Sequence, residues 1–325
     1  MTIERLFINL SSPKGKVDVI LDTDAYNEID DQFAIGYMLK KTEKFNVRGI
    51  CAAPFTNEKS NGAADGMEKS YEEILKLLSF MGMDEYKSKV YKGSERYLPD
   101  EATPVESPAA DFMAELAKEY SPEHPLYIVA IGAITNVASA ILKNPDMKEN
   151  CVVVWLGGHG EHMPFQVGEF NMWQDVAGAR ILFGCGIPLV QLPCGGVVEE
   201  FATTGPELTY WLKGKNTLCD YLVDNTVKEA ESYAKGKPWS RPIWDVTAVA
   251  WLCNDSWQFM REKLITSPIP EYDGHYATDF HRHFIKYIYK INRDKLFEEL
   301  FEVLSRCYKM KKGRVFTRPF KFTWQ

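Results

Sequence analysis

The sequence predicts an α/β fold: a single domain with a mostly parallel open sheet flanked by helices. Three observations carry that expectation. Strand and helix signals alternate along the chain from its start, as βα units do. The run Cys151–Leu156 (CVVVWL) is apolar without alternation, the mark of a strand covered on both faces. The 325 residues contain 45% hydrophobic and 26% charged residues, an ordinary globular balance, with no repeat or linker between two halves.

Each element follows from local pattern. Val17–Asp22 (VDVILD) is a β-branched run ending in carboxylates. Ile29–Lys41 carries Phe33, Ala34, Tyr37 and Met38 at helical spacing. Asn46–Ala52 is the second strand, and Ala63–Met81 an amphipathic helix with Tyr71, Ile74, Leu75 and Leu78 on one face. Asp111–Tyr120 is read as a helix, Leu126–Ala130 as a strand, and Ile134–Lys143 as a helix ending before Pro145. After Cys151–Leu156 comes a glycine-rich loop, Gly157–Gly168. A helix Val176–Phe183 stops at Gly184, and a strand Pro188–Leu192 follows. Thr217–Ala234 and Val246–Leu252 are read as helical, Phe284–Ile291 as an edge strand and Asp294–Tyr308 as the closing helix. The basic tail Lys309–Lys321 is read as a solvated surface segment.

Charge and cysteines bound the setting. With 38 basic and 45 acidic residues the net charge is -7, which disfavours a nucleic-acid groove. Seven cysteines, none at CxxC spacing, are expected to be reduced thiols in a cytoplasmic protein. The first residues are expected to be no signal peptide, and the longest apolar run, Leu126–Leu142, is broken by Thr135, Asn136 and Ser139, so no membrane span is expected.

The most informative stretch is Asp22-Thr23-Asp24-Ala25-Tyr26-Asn27-Glu28-Ile29-Asp30-Asp31. Its five carboxylates lie where a buried strand ends and a helix begins, the edge at which open α/β sheets bind ligands. Acidic residues in a first helical turn favour the helix dipole, which accounts for Glu28, Asp30 and Asp31. Asp22 and Asp24 sit at the strand end, where neighbouring carboxylates repel unless a cation joins them. A hard divalent cation with oxygen ligands, Ca²⁺ or Mg²⁺, accounts for the whole cluster. A DxD strand end also opens haloacid-dehalogenase-like phosphatases, so a Mg²⁺ phosphohydrolase stands as an alternative. A nucleoside- or ribose-binding protein without catalysis is a third reading.

Five blocks together resemble the nucleoside hydrolase family. Asp22-Thr23-Asp24 and Asp30-Asp31 resemble its DxDxGxDD hallmark, with two extra residues in the turn and no glycine. Ile131-Gly132-Ala133-Ile134-Thr135-Asn136 resembles its TGGLTN segment, and Val154-Trp155-Leu156-Gly157-Gly158 its VLMGG strand end. Glu169-Phe170-Asn171 with Asp175 resembles AEFN…D, and Trp244-Asp245-Val246-Thr247-Ala248-Val249-Ala250 resembles HDPxAVA. The blocks keep the family's order and span roughly residues 17–255.

The resemblance implies Ca²⁺-dependent hydrolysis of the N-glycosidic bond of a ribonucleoside or related N-riboside, in a homo-oligomer, dimer or tetramer. It implies that Asp24 ligates the metal and takes a proton from water, and that Asp31, Asp245 and the Ile131 carbonyl complete the metal site. Asp22 and Asp30 match a second carboxylate of the cluster and a ribose-hydroxyl partner. Glu169 and Asn171 match residues that hold sugar hydroxyls, and Asn57 matches an Asn near the ribose. Trp244 stands at the edge of the base pocket where many family members have the His that protonates the departing purine. Either His159 or His162 could replace that acid, or both are exposed loop residues. Asn27 or Glu28 could enter the metal shell or cap the helix. Tyr26 and Trp173 are candidates to stack on a base, with core packing the simpler reading of Trp173. The family's 5′-hydroxyl Asn falls near Met163, and its HGxDG stretch is absent around Thr103–Ala109.

Overall fold

The structure, a computed structural model, describes residues 1–306. Eight strands form one sheet: β1 Val17–Thr23, β2 Phe45–Ala52, β3 Val90–Lys92, β4 Leu126–Ala130, β5 Cys151–Leu156, β6 Leu189–Leu192, β7 Met260–Thr266 and β8 Phe284–Ile291. Their order across the sheet is β3-β2-β1-β4-β5-β6-β8-β7. Every neighbouring pair is parallel except β8 with β7. The expected α/β class and mostly parallel sheet are therefore present.

Both faces of the sheet are covered, which is why its strands read as unbroken apolar runs. Successive residues of a strand point to opposite faces. In β1, Val19 and Leu21 join one core and Ile20 the other. In β5, Val152, Val154 and Leu156 face the first core, while Cys151, Val153 and Trp155 face the second.

Helix boundaries follow their caps. Ala63–Met81 ends at Gly82, whose φ of 66° is the left-handed conformation that closes helices. The helix expected from Asp111 begins earlier, at Pro108. The Ser107 hydroxyl accepts from the Ala110 N–H, and proline suits a first turn with no partner for its nitrogen. The closing helix runs Arg293–Ser305; its expected extension to Tyr308 and the tail Lys309–Lys321 lie outside the described residues.

One expectation is corrected. Phe284–Ile291 is not an edge strand, because Met260–Thr266 pairs along its outer side. The covering strand reads MREKLIT, with charges at Arg261, Glu262 and Lys263 that hide strand periodicity and suit an edge. The sequence reading also passed over the helices Ile3–Asn9 and Gly205–Leu212 and the short strand Val90–Lys92.

Candidate active site

The order of the sheet reverses at β1, which has β2 on one side and β4 on the other. Crossovers diverge at that point and open a crevice outside the carboxyl ends of the strands. A cavity lies there, about 550 Å³ with its open mouth included. Loops after β1, β4, β5 and β6 supply its wall through Asp24, Ile131, His159 and Cys194.

The Asp24 backbone sits just past β1, and its carboxylate is turned against Gly132. A side chain at Gly132 would meet Asp24 Oδ1 at 2.9 Å, so glycine is what makes room there. Asp24 is 1% exposed, and its Oδ2 has no hydrogen-bond partner. Burial, with the charges of Asp31 and Asp30 beside it, pushes its pKa well above the usual carboxylate range.

Asp30, Asp31 and Asp245 come together although 215 residues separate Asp30 from Asp245. One oxygen of each lies within 4.8 Å of the others, and all three are buried. The Asp245 N–H donates to Asp30 Oδ2 at 3.2 Å, and Thr23 Oγ1 donates to Asp31 Oδ1. Burial pushes Asp31 up to about 6 against that hydroxyl bond. Burial and mutual repulsion among Asp30, Asp31 and Asp24 raise Asp245 well above its ordinary value, and burial and Glu28 raise Asp30. Buried carboxylates that repel one another, with one oxygen orphaned, fit the donor set of a hard divalent cation. Asp30, Asp31 and Asp245 are the residues that would hold it, with the unpartnered oxygen of Asp24 as a further candidate. Ile131 lines the same cavity, and its carbonyl accepts from Asn171 Nδ2 at 3.3 Å.

Glu169 and Asn171 are placed by a short helix, Phe170–Gln174. Glu169 caps it, accepting from the Asn171 N–H at 2.9 Å and the Met172 N–H at 3.0 Å. A third donor is the Gly158 N–H at 2.8 Å, delivered by a backbone with φ 78° that glycine tolerates. Asn171 Nδ2 also reaches the Leu156 carbonyl at 3.0 Å. Both side chains line the cavity, as does Trp244, which is half-buried.

Two expected site residues lie off the wall. Asp22 is fully buried and accepts from Asn136 Nδ2 at 2.8 Å; burial raises it to about 7. Asn57 donates to Asn27 Oδ1 at 2.7 Å, and Asn27 is the residue that reaches the cavity. The longer turn thus brings both Asn27 and Glu28 to the wall. Glu28 pairs with Arg241, Nη2 to Oε2 2.7 Å, and Arg241 also holds Glu229 at 3.0 Å. Burial raises Glu28 against the pull of Arg241.

The histidines separate. His159 lines the cavity, and its Nδ1 accepts from the Gly195 N–H at 3.0 Å; His162 is exposed and off the wall. Trp173 is 48% exposed and Tyr26 41%, so Trp173 is not packed in the core, and neither ring lines the cavity. Phe170 and Cys194 do, and the sequence reading missed both as site residues. Phe170 was legible within the EFN block; Cys194 follows β6 without any motif.

In comparison with known proteins, the family model of the inosine-uridine preferring nucleoside hydrolases matches residues 19–298. The probable uridine nucleosidase 2 of Arabidopsis thaliana is 27% identical over 222 residues, covering 67% of this chain and 62% of that protein. The pyrimidine-specific ribonucleoside hydrolase RihA of Citrobacter koseri is 30% identical over 149 residues, covering 44% of this chain and 46% of that protein. The matched part thus spans less than two thirds of these curated relatives. Among solved structures, the plant nucleoside hydrolase PpNRh1 shares the fold with a TM-score of 0.70 at 20% identity, over 89% of this chain and 99% of that one. With a match that runs from β1 into the closing helix and takes in the whole aspartate crevice, the chain belongs to the inosine-uridine preferring nucleoside hydrolase family.

Proposed function

We propose that the protein hydrolyses the N-glycosidic bond of a ribonucleoside or related N-riboside, with Ca²⁺ at the aspartate cluster. The observation that carries this reading is the buried group Asp30, Asp31 and Asp245 beside an Asp24 oxygen that has no partner. Family membership supports the reaction class.

Cleavage by water passes through an oxocarbenium-like sugar, so the site needs a held water, a base and negative charge near C1′. Asp24 is the base, taking a proton from the attacking water. Asp30 and Asn171 line the cavity and hold ribose hydroxyls, as does Glu169, which three backbone donors fix in place. A bound divalent cation supplies charge that keeps the neighbouring aspartates ionised and lowers the pKa of a coordinated water. Trp244 and Phe170 give the aglycone a flat apolar surface.

A Mg²⁺ phosphohydrolase would use Asp22 as nucleophile. That carboxylate is fully buried, tied to Asn136 and off the cavity wall, which argues against that reading. A pure ribose binder has no use for a base with an unpartnered oxygen. The deciding experiment is a screen of ribonucleosides with Ca²⁺ present and with chelator, read by release of reducing sugar. Release from no riboside, with turnover of a phosphate ester, would replace this reading by the phosphatase one. We also take the protein to be a cytoplasmic homo-oligomer, a dimer or tetramer, which light scattering on the purified chain tests.

A further inference from the structure

Resting on the hydrolytic reading above, we infer that Glu229 is a positioning residue. Through Lys59 and Arg241 it fixes the turn that carries Asn27, so that the Asn27 amide is held ready to donate to the bound riboside.

The turn itself is the first observation. It is two residues longer than the hallmark it resembles, and it has neither glycine nor proline to set its course. Irregular backbone of this kind is held by partners from outside. Asn27 is 7% exposed and lines the cavity, and three of its polar groups are engaged. Its N–H donates to the Asp24 carbonyl at 2.7 Å. Its own carbonyl accepts from Lys59 Nζ at 2.8 Å, and its Oδ1 accepts from Asn57 Nδ2 at 2.7 Å. The fourth group, the Nδ2 amide, has no hydrogen-bond partner among the described residues. It is a donor at the cavity wall, and the hydroxyls and ring of a riboside offer it acceptors.

The second observation is what holds the turn from behind. Glu229 lies on the helix Thr217–Ala234, in none of the five blocks that resemble the family. Its Oε2 accepts from Lys59 Nζ at 3.0 Å and its Oε1 from Arg241 Nη2 at 3.0 Å. The same Lys59 Nζ meets the Asn27 carbonyl, and the same Arg241 Nη2 meets Glu28 Oε2 at 2.7 Å. Each cation is therefore caught between Glu229 and the turn. The side chains of Glu229, Lys59 and Arg241 are 22%, 31% and 17% exposed, so water competes for these bonds less than at an open surface pair. The Lys59 backbone is fixed separately, its N–H by Asn57 Oδ1 at 2.8 Å and its carbonyl by Lys69 Nζ at 2.7 Å. What stays free is its long side chain, which loses rotamer freedom to reach one carbonyl. Glu229 supplies the partner that aims it.

Neither Glu229 nor Lys59 hydrogen-bonds to Asp24, Asp30, Asp31 or Asp245 among the described residues. Loss of the clamp should therefore weaken the grip on the riboside and leave the proton transfer at Asp24 in place, which raises KM and spares kcat.

The test uses the full chain with Ca²⁺ and whichever ribonucleoside it cleaves. Glu229→Gln keeps the size of the side chain and removes its charge. KM should rise about five- to tenfold, the effect of one lost hydrogen bond, with kcat changed by less than about threefold. Asn27→Ala should raise KM by a similar factor, and adding Glu229→Gln to it should raise KM no further. Lys59→Met, which removes the bond to the Asn27 carbonyl, should behave as Glu229→Gln does. Glu231→Gln, the same charge change at an exposed site on the same helix, should leave KM and kcat unchanged. Hydrogen exchange reads the clamp without turnover: amides of residues 24–30 should exchange about tenfold faster in Glu229→Gln than in the parent chain. An unchanged KM, a loss confined to kcat, multiplied effects in the double variant, or an equal KM rise in Glu231→Gln would each overturn the inference and leave N-ribosyl hydrolysis standing. Unchanged exchange at residues 24–30 would overturn it whatever the turnover. A parent chain that cleaves no riboside would overturn both readings together.

Discussion

The two ends of β1 carry aspartates in opposite circumstances. At the start of the strand, Asp18 meets Arg48 at 2.9 Å, Asn46 Nδ2 at 2.6 Å and the Tyr120 hydroxyl at 2.6 Å. It is only partly buried, and these donors outweigh its desolvation and hold its pKa below the ordinary value. At the other end, Asp22 and Asp24 are buried with no basic partner, and both are raised. A surface carboxylate is stabilised by what the chain itself provides. Keeping a carboxylate buried and under-partnered costs several kcal/mol; at Asp24, beside the aspartate cluster, a bound cation would offset that cost, whereas Asp22 lies off the cavity and keeps its Asn136 partner.

The contrast can be broken most severely at Asp24. Asp24→Asn keeps the shape and removes the base and a metal charge. Turnover should fall ~10²-fold or more while the melting temperature holds. Parallel kinetics and thermal melts check it, and a variant keeping more than about a tenth of the rate contradicts the assignment.

Asp22 sharpens the comparison through pH. Its folded pKa is about 7 against 3.8 for the unfolded chain, so unfolding releases a proton between those values. That share of stability is full below about pH 4, falls as pH rises, and is gone above about pH 7, on the order of 4 kcal/mol in all. Asp22→Asn should flatten this slope in metal-free protein. Denaturant melts from pH 4 to 8 measure it, and an unchanged slope would show that Asp22 keeps no proton in the native state.

Cation binding comes next. Ca²⁺ at about 100 times its dissociation constant should stabilise the fold by ~2.7 kcal/mol, and chelator should remove that gain together with activity. Asp245→Asn should abolish most of the shift. A full Ca²⁺ shift in that variant would place the ion away from the cluster.

The smallest effect belongs to Asp18. Its partners are near the surface, where such pairs contribute ~0–1 kcal/mol. Asp18→Asn should cost no more than that and leave both the Ca²⁺ shift and turnover unchanged, by melts and the riboside assay.

How much of this was legible in the sequence differs by element. Ala63–Met81 and Cys151–Leu156 stand where periodicity and apolar run place them, because each buries a face that local pattern records. Met260–Thr266 was not, because an edge strand keeps charged residues and loses its alternation. In the site, Asp24, Asp31, Glu169, Asn171 and Asp245, singled out from separate blocks of the chain, line one cavity. The turning away of Asp22 toward Asn136 was not legible, since a backbone motif does not say which way a side chain faces.

The sequence by itself determined the α/β alternation, the strand-end carboxylates and the family, since these depend on residue type and spacing along one stretch of chain. Tertiary structure alone decided that Asp245 closes on Asp30 from 215 residues away, that His159 and not His162 reaches the cavity, and that Arg241 pairs with Glu28 behind its wall. Those outcomes depend on how separate crossovers pack at the reversal of the sheet, where contacts join residues that no local period relates.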